Sequence, residues 1–190
     1  DISKPTANMV IDIGGGTTDI AILSLNDIVS STSVRIAGNV FDQDIIKYIK
    51  EKYKLLIGER TAEDIKIGFS NIFDPNKKEK LEVRGRNLIT GLPDTIEITQ
   101  DETKLALEES IQKIVKATTN VLEQTPPELS GDIVEKGIIL TGGGAMLRGL
   151  PELLEKELQV PILIAESPLT CVAEGTGTLL NNITLLEEDQ

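Results

Sequence analysis

Histidine is absent from the 190-residue chain, and cysteine occurs once, at Cys171. Without histidine there is no Ser-His-Asp triad, no Cys-His dyad and no His-ligated zinc. A lone cysteine closes no internal disulfide, which points to a reducing, cytoplasmic setting. No apolar run approaches the roughly 20 residues that cross a bilayer. The N-terminal Asp1-Ile-Ser-Lys-Pro5 lacks the basic and apolar regions of a signal peptide, and no initiator Met precedes it. That start is expected of a piece of a longer protein. Basic residues are in deficit, 19 against 31 acidic ones, for a net charge of −12. Such a balance excludes a general affinity for nucleic acid or anionic lipid. What remains for chemistry is carboxylates, hydroxyls, lysines, backbone amides and an oxygen-held metal.

What is present suits a soluble globular protein, 39% hydrophobic and 26% charged. The length suits one sizeable domain or two small subdomains sharing a cleft. Met9 to Ile13 reads as a short buried strand closed by three glycines. Thr17 to Leu25 and Ile28 to Ile36 follow as two more strands, so the start is a meander. From Val40, Phe41, Ile45, Ile46, Ile49 and Tyr53 recur at helical spacing, and Thr61 opens a second short helix. Asp74 to Lys80 reads as a polar turn, and Leu81 to Ile89 and Thr95 to Thr99 as strands. Residues from about Asn39 to Ile98 therefore form an inserted α+β subdomain. Thr99 and Glu102 make a capping box for a long helix that Pro126-Pro127 stops. A strand over Gly137 to Thr141, a helix over 150–158, a strand over 160–164 and a helix over 168–180 complete the pattern, before the acidic end Glu187-Glu-Asp189.

Two glycine loops stand out. In Asp12-Ile-Gly-Gly-Gly-Thr-Thr18, Gly14, Gly15 and Gly16 permit positive φ and bring amides near a ligand, a nest that suits phosphate oxygens. Asp12, at the mouth of its strand, suits a hydrated Mg²⁺. Thr17 and Thr18 add hydroxyls for a γ-phosphate or an attacking water; the bland alternative is a tight hairpin. The second loop, Thr141-Gly-Gly-Gly-Ala145, lies between a strand and a helix, where amides face an anion or a nucleoside as readily as they merely turn the chain. Neither loop matches the dinucleotide fingerprint, and no Walker A Lys-Ser/Thr follows a glycine run. Glu63 and Lys66, three apart on one helix face, suit a ribose and an adenine edge. On spacing alone, a solvated surface ion pair between those two is the better reading.

These residues resemble the actin, hexokinase and heat-shock chaperone ATPase superfamily, and within it the MreB-type bacterial actins. The likeness rests on both glycine loops and on longer stretches: Arg35 to Gly38, Leu56 to Glu63, Val83 to Arg86, Leu122 to Leu129 and Ser167 to Gly177. It implies an α/β fold: an actin-like, ribonuclease-H-like domain with a mixed sheet flanked by helices and a small inserted α+β subdomain. Residues 1–38 and 99–180 would form the larger subdomain, 39–98 the insert and 181–190 an acidic tail. The resemblance implies ATP or ADP with Mg²⁺ as cofactors. Gly14 to Gly16, with Thr17 and Thr18, would hold the β- and γ-phosphates. Asp12 would hold hydrated Mg²⁺ and Thr17 would place the hydrolytic water, as the catalytic pair. Glu63 and Lys66 would bind ribose and adenine, and Gly142, Gly143, Gly144, Ala145 and Met146 would line the adenosine pocket. One departure is Ile67 to Asn71, which lacks the acidic character expected there.

The same resemblance implies ATP-dependent filaments of the protein with itself that control cell shape, cytoskeletal adaptors as partners, and a cytoplasmic place at the inner face of the membrane. Membrane contact would come from the other half, as would the first phosphate loop and a catalytic carboxylate. The chain alone is therefore expected to bind ATP weakly and to hydrolyse it negligibly. Phe69, Ile72 and Phe73 are candidates for a longitudinal interface, with packing inside the fold as the stronger alternative. A chaperone-type ATPase would need a substrate-binding domain where 13 residues follow Gly177. A sugar or acetate kinase would need a clustered polar pocket. A pure interaction module without activity is the third alternative.

Overall fold

A computed structural model describes residues 4–75 and 79–181. Three N-terminal strands, β1 (Asn8–Ile13), β2 (Thr18–Ser24) and β3 (Asp27–Val34), form an antiparallel meander. β7 (Ile138–Thr141) and β8 (Ile162–Ile164) add in parallel beside β1, giving the order β3-β2-β1-β7-β8. Between them come α1 (Gly38–Tyr53), β4 (Leu55–Leu56), α2 (Glu59–Gly68), β5 (Lys80–Asn87) and β6 (Pro93–Thr99). The short strands β4, β5 and β6 make a separate three-stranded sheet. The helices α3 (Gln100–Glu123), α4 (Pro127–Lys136), α5 (Leu150–Leu158) and α6 (Cys171–Asn181) complete the chain. No helix among the described residues is long and apolar enough to cross a membrane.

The meander and mixed sheet follow the sequence pattern, with two refinements. β1 is covered on one face only: Met9, Ile11 and Ile13 are fully buried, while Val10 and Asp12 are half-buried. Its continuous apolar run conceals a period of two. Pro126-Pro127 does end the long helix, but Pro127 also opens α4, which the sequence reading lacked. Proline is accepted at the first helical position, where its missing N–H has no partner to lose. The capping box forms as expected: the Thr99 amide donates to Glu102 Oε2 at 2.8 Å, and the Thr99 side chain takes the backbone of Glu102. Behind it Leu107, Ile111 and Ile114 bury against the sheet and the other helices.

Phe69 and Ile72 lie inside the fold, 6% and 0% exposed, and only Phe73 reaches the surface. The interface suggested for that trio is corrected: two of its three members are core. The acidic end and the middle of the Asp74–Lys80 turn lie outside the described residues.

Candidate functional site

Parallel pairing sets Asp12 beside Thr141, so the two glycine loops leave the sheet side by side at the ends of β1 and β7. The crevice beyond the carboxyl ends of parallel strands is where α/β sheets bind ligands. A cavity of about 520 Å³ opens there. Gly14, Gly15, Gly143, Gly144 and Met146 line it from the loops, Gly38 and Asn39 from the start of α1, and Glu63, Lys66 and Ile67 from α2. Its size is that of a small-molecule site.

The first loop is a tight hairpin in which the Gly14 amide donates to the Thr17 carbonyl at 2.9 Å. Its carbonyls serve the helix: Gly14 accepts the Gly38 amide at 3.1 Å and Gly15 accepts that of Asn39 at 2.8 Å. Among the described residues, the amides of Gly15, Gly16 and Thr17 donate to no backbone carbonyl. None of the three glycines takes a positive φ, contrary to the reason first given for them. Nor does packing demand them, since a Cβ on Gly16 would meet nothing within 4 Å and one on Gly15 only the Asn39 side chain at 3.6 Å. The space over these amides is free on the protein side.

The second loop is glycine for a different reason. Gly142 has φ +81°, and a Cβ there would come within 2.3 Å of the Ile13 carbonyl. A Cβ on Gly144 would strike the Ile13 side chain, also at 2.3 Å. Both glycines let the loop close over the end of β1. Ala145 is buried, so of the five residues expected to line an adenosine pocket, Gly143, Gly144 and Met146 do, whereas Gly142 and Ala145 support the loop. The segment after the strand is a single 3-10 turn over Gly143–Met146, not a long helix.

Asp12 and Asp19 are cross-strand partners on β1 and β2, on the sheet face away from the lining of the main cavity. Burial pushes the Asp12 carboxyl above its ordinary range, and the Asp19 charge adds to the rise. Thr17 is exposed and donates its hydroxyl to Asp19 Oδ2 at 2.9 Å. Thr18 is not available to a ligand. Its side chain is fully buried and its hydroxyl donates to the Ile36 carbonyl at 2.6 Å.

Lys66 does not pair with Glu63 as spacing suggested. Its ammonium lies 2.8 Å from Asp42 Oδ1 and donates to Oδ2 at 2.9 Å, with a third bond to the Gly38 carbonyl at 3.1 Å. Oδ2 takes the aligned hydrogen bond, while Oδ1 meets the charge without one. Glu63 and Lys66 still line one cavity, as their shared helix face requires. Sequence reasoning missed Gly38, Asn39, Asp42, Leu147 and Leu169 at this site. Only Gly38 carried a signal, as a glycine just before a helical run.

The profile of the MreB/Mbl protein family matches residues 1–188. The cell shape-determining protein Mbl of Bacillus cereus is 58% identical over 98% of this chain and 56% of its own length. Among solved structures, MreB5 of Spiroplasma citri bound to AMPPNP superposes with a TM-score of 0.92 at 40% identity, covering 100% of this chain and 57% of that one. The MamK double helical filament gives 0.70 at 25% identity over 85% of this chain and 50% of that one. The chain thus spans a little over half the length of these relatives. It belongs to the MreB/Mbl family of bacterial actins, with the actin-like fold.

Proposed function

We propose that this chain supplies one wall of an ATP- or ADP-binding cleft in a bacterial actin that polymerises with itself and governs cell shape. The observation that carries the reading is the cavity between the two glycine loops, roofed by unengaged amides and walled by Lys66. The nucleotide complex of the S. citri relative supports it. The amides of Gly15, Gly16 and Thr17 would hold phosphate oxygens, and the Thr17 hydroxyl would orient water. Glu63 and Lys66 would meet the ribose and adenine, with Gly143, Gly144 and Met146 along the nucleoside.

Mg²⁺ fits as an ion held mainly by water and phosphate. The described residues contain no group of three or more acidic, His or Cys side chains that could hold a metal. Asp12 and Asp19 do supply facing carboxylates whose repulsion a cation would relieve. When bound, the ion would neutralise phosphate charge; Asp12 would fix its water shell. The division into a larger subdomain, 1–38 with 99–180, and an insert, 39–98, belongs to this proposal. So do ATP hydrolysis by the whole protein, adaptor partners and a place at the cytoplasmic face of the membrane.

The test is displacement of a fluorescent ATP analogue from the full-length protein by ATP and ADP in the presence of Mg²⁺. Saturable binding reversed by both nucleotides is expected. No binding rejects the reading.

A further inference from the structure

The hairpin between β5 and β6 holds three apolar side chains out of the fold. Leu88 is 41% exposed, Ile89 79% and Leu92 65%. The turn is fully bonded within itself. Asn87 Oδ1 accepts the amides of Ile89 and Thr90 at 2.9 and 3.2 Å, its carbonyl accepts Gly91, and its amide donates to Leu92. A tip so satisfied can enter an apolar surface without stranding backbone polar groups. It is a preorganised knob.

A notch of about 420 Å³ lies between the β2–β3 turn and the start of α4, lined by Leu25, Ile28, Val29 and Leu129 with Asp27 at its rim. Leu25 and Ile28 are 60% and 59% exposed. Knob and notch stand at opposite ends of α3. The knob adjoins its first turn: the Leu88 amide donates to the Lys54 carbonyl at 2.8 Å, and neighbouring Lys52 pairs with Glu102 at 2.6 Å. The notch adjoins the other end, through Thr125 into Pro127–Leu129. A helix of 24 residues spans about 36 Å. The two surfaces of one chain therefore do not meet.

Charge favours their meeting between chains. Arg84 and Arg86, exposed on β5 behind the knob, have no ion pair or hydrogen bond among the described residues. Asp27 and Glu128 are exposed beside the notch. We infer that copies of this protein join head to tail, the Leu88–Leu92 knob of one entering the Leu25–Leu129 notch of the next. Different surfaces on the two sides make a heterologous contact, which extends without closing. The inference deepens the assembly reading above and rests on it. Three apolar side chains in one notch make a modest contact, in keeping with growth above a critical concentration.

The test uses the full-length protein with Mg²⁺ and ATP, and two variants at exposed positions, Ile89→Asp and Ile28→Asp. A carboxylate placed in the apolar contact should raise the critical concentration for pelleting about tenfold or more in each variant. Mixed in equal amounts, the two variants should form dimers and no polymers by mass photometry, because one sound knob and one sound notch remain. In a Cys171→Ser background, Ile89→Cys with Ile28→Cys should give an oxidised ladder joined through those two positions. Unchanged pelleting by both variants, a monomeric mixture or no ladder overturns the inference. Binding of labelled ATP on the same samples separates the two proposals. Its loss in the unaltered protein refutes the cleft, whereas the ladder alone decides the contact.

Discussion

The carbonyl of Gly14 accepts the amide of Gly38 at 3.1 Å, so the glycine hairpin closes the first turn of α1. The residue in the capping position, Ala37, offers no side chain for the task. With the Gly15–Asn39 bond beside it, this contact fixes the hairpin to the helix. The hairpin's carbonyls are thereby occupied and its amides are left over.

The two glycine loops should respond oppositely to a methyl group. Gly142→Ala forces positive φ on a Cβ that overlaps the Ile13 carbonyl, and should cost about 3 kcal/mol. Gly143→Ala, whose Cβ meets only Leu169 at 3.7 Å, should stay within about 0.5 kcal/mol of the parent. Urea titrations of both variants check the contrast.

Removing the Lys66 charge strands a carboxylate that is 13% exposed. Lys66→Met should destabilise the protein by about 2–4 kcal/mol. Adding Asp42→Leu should restore most of the stability, because no unpaired charge remains. Nucleotide affinity should not return in the double variant. Recovery of both would make Lys66 a structural residue alone.

Asp12 should trade stability for binding. Its native pKa lies above the 3.8 of an unstrained aspartate, so its charged form weakens the fold. That penalty is complete above the native pKa and vanishes below the unfolded value. Asp12→Asn should therefore melt higher at pH 7, with the gap closing as pH falls, while Mg²⁺-dependent nucleotide binding weakens.

Glu102 has the opposite sign. Burial opposes its charge, yet Lys52, Tyr53 and the Thr99 amide hold the carboxyl below its ordinary value. Glu102→Gln should cost about 2 kcal/mol at pH 7. The difference should be complete above about pH 4.3 and fade as pH falls through the lowered native pKa. Thermal melts across that range provide the check.

Much of the fold was legible in the sequence. The strands of the meander, the capping box at Thr99 and the strand before Gly142 all carry local signals in adjacent residues. α4 was hidden because Pro127 plays two parts, ending one helix and starting another. At the site, spacing brought out Gly14–Gly16 and the shared face of Glu63 and Lys66. It could not reveal that Lys66 answers to Asp42, 24 positions away, or that the Thr18 hydroxyl turns inward to Ile36. Those pairings depend on how α1 and α2 pack, which no local pattern encodes.

The central claim, that the first glycine loop holds phosphate, is tested most directly at Gly16. A Cβ there meets nothing in the protein and the backbone needs no positive φ, so Gly16→Val should melt within a few degrees of the parent. Calorimetric titration of Mg²⁺–ATP into the full-length protein should show affinity at least about tenfold weaker in the variant. Equal affinity in the two proteins would contradict the account.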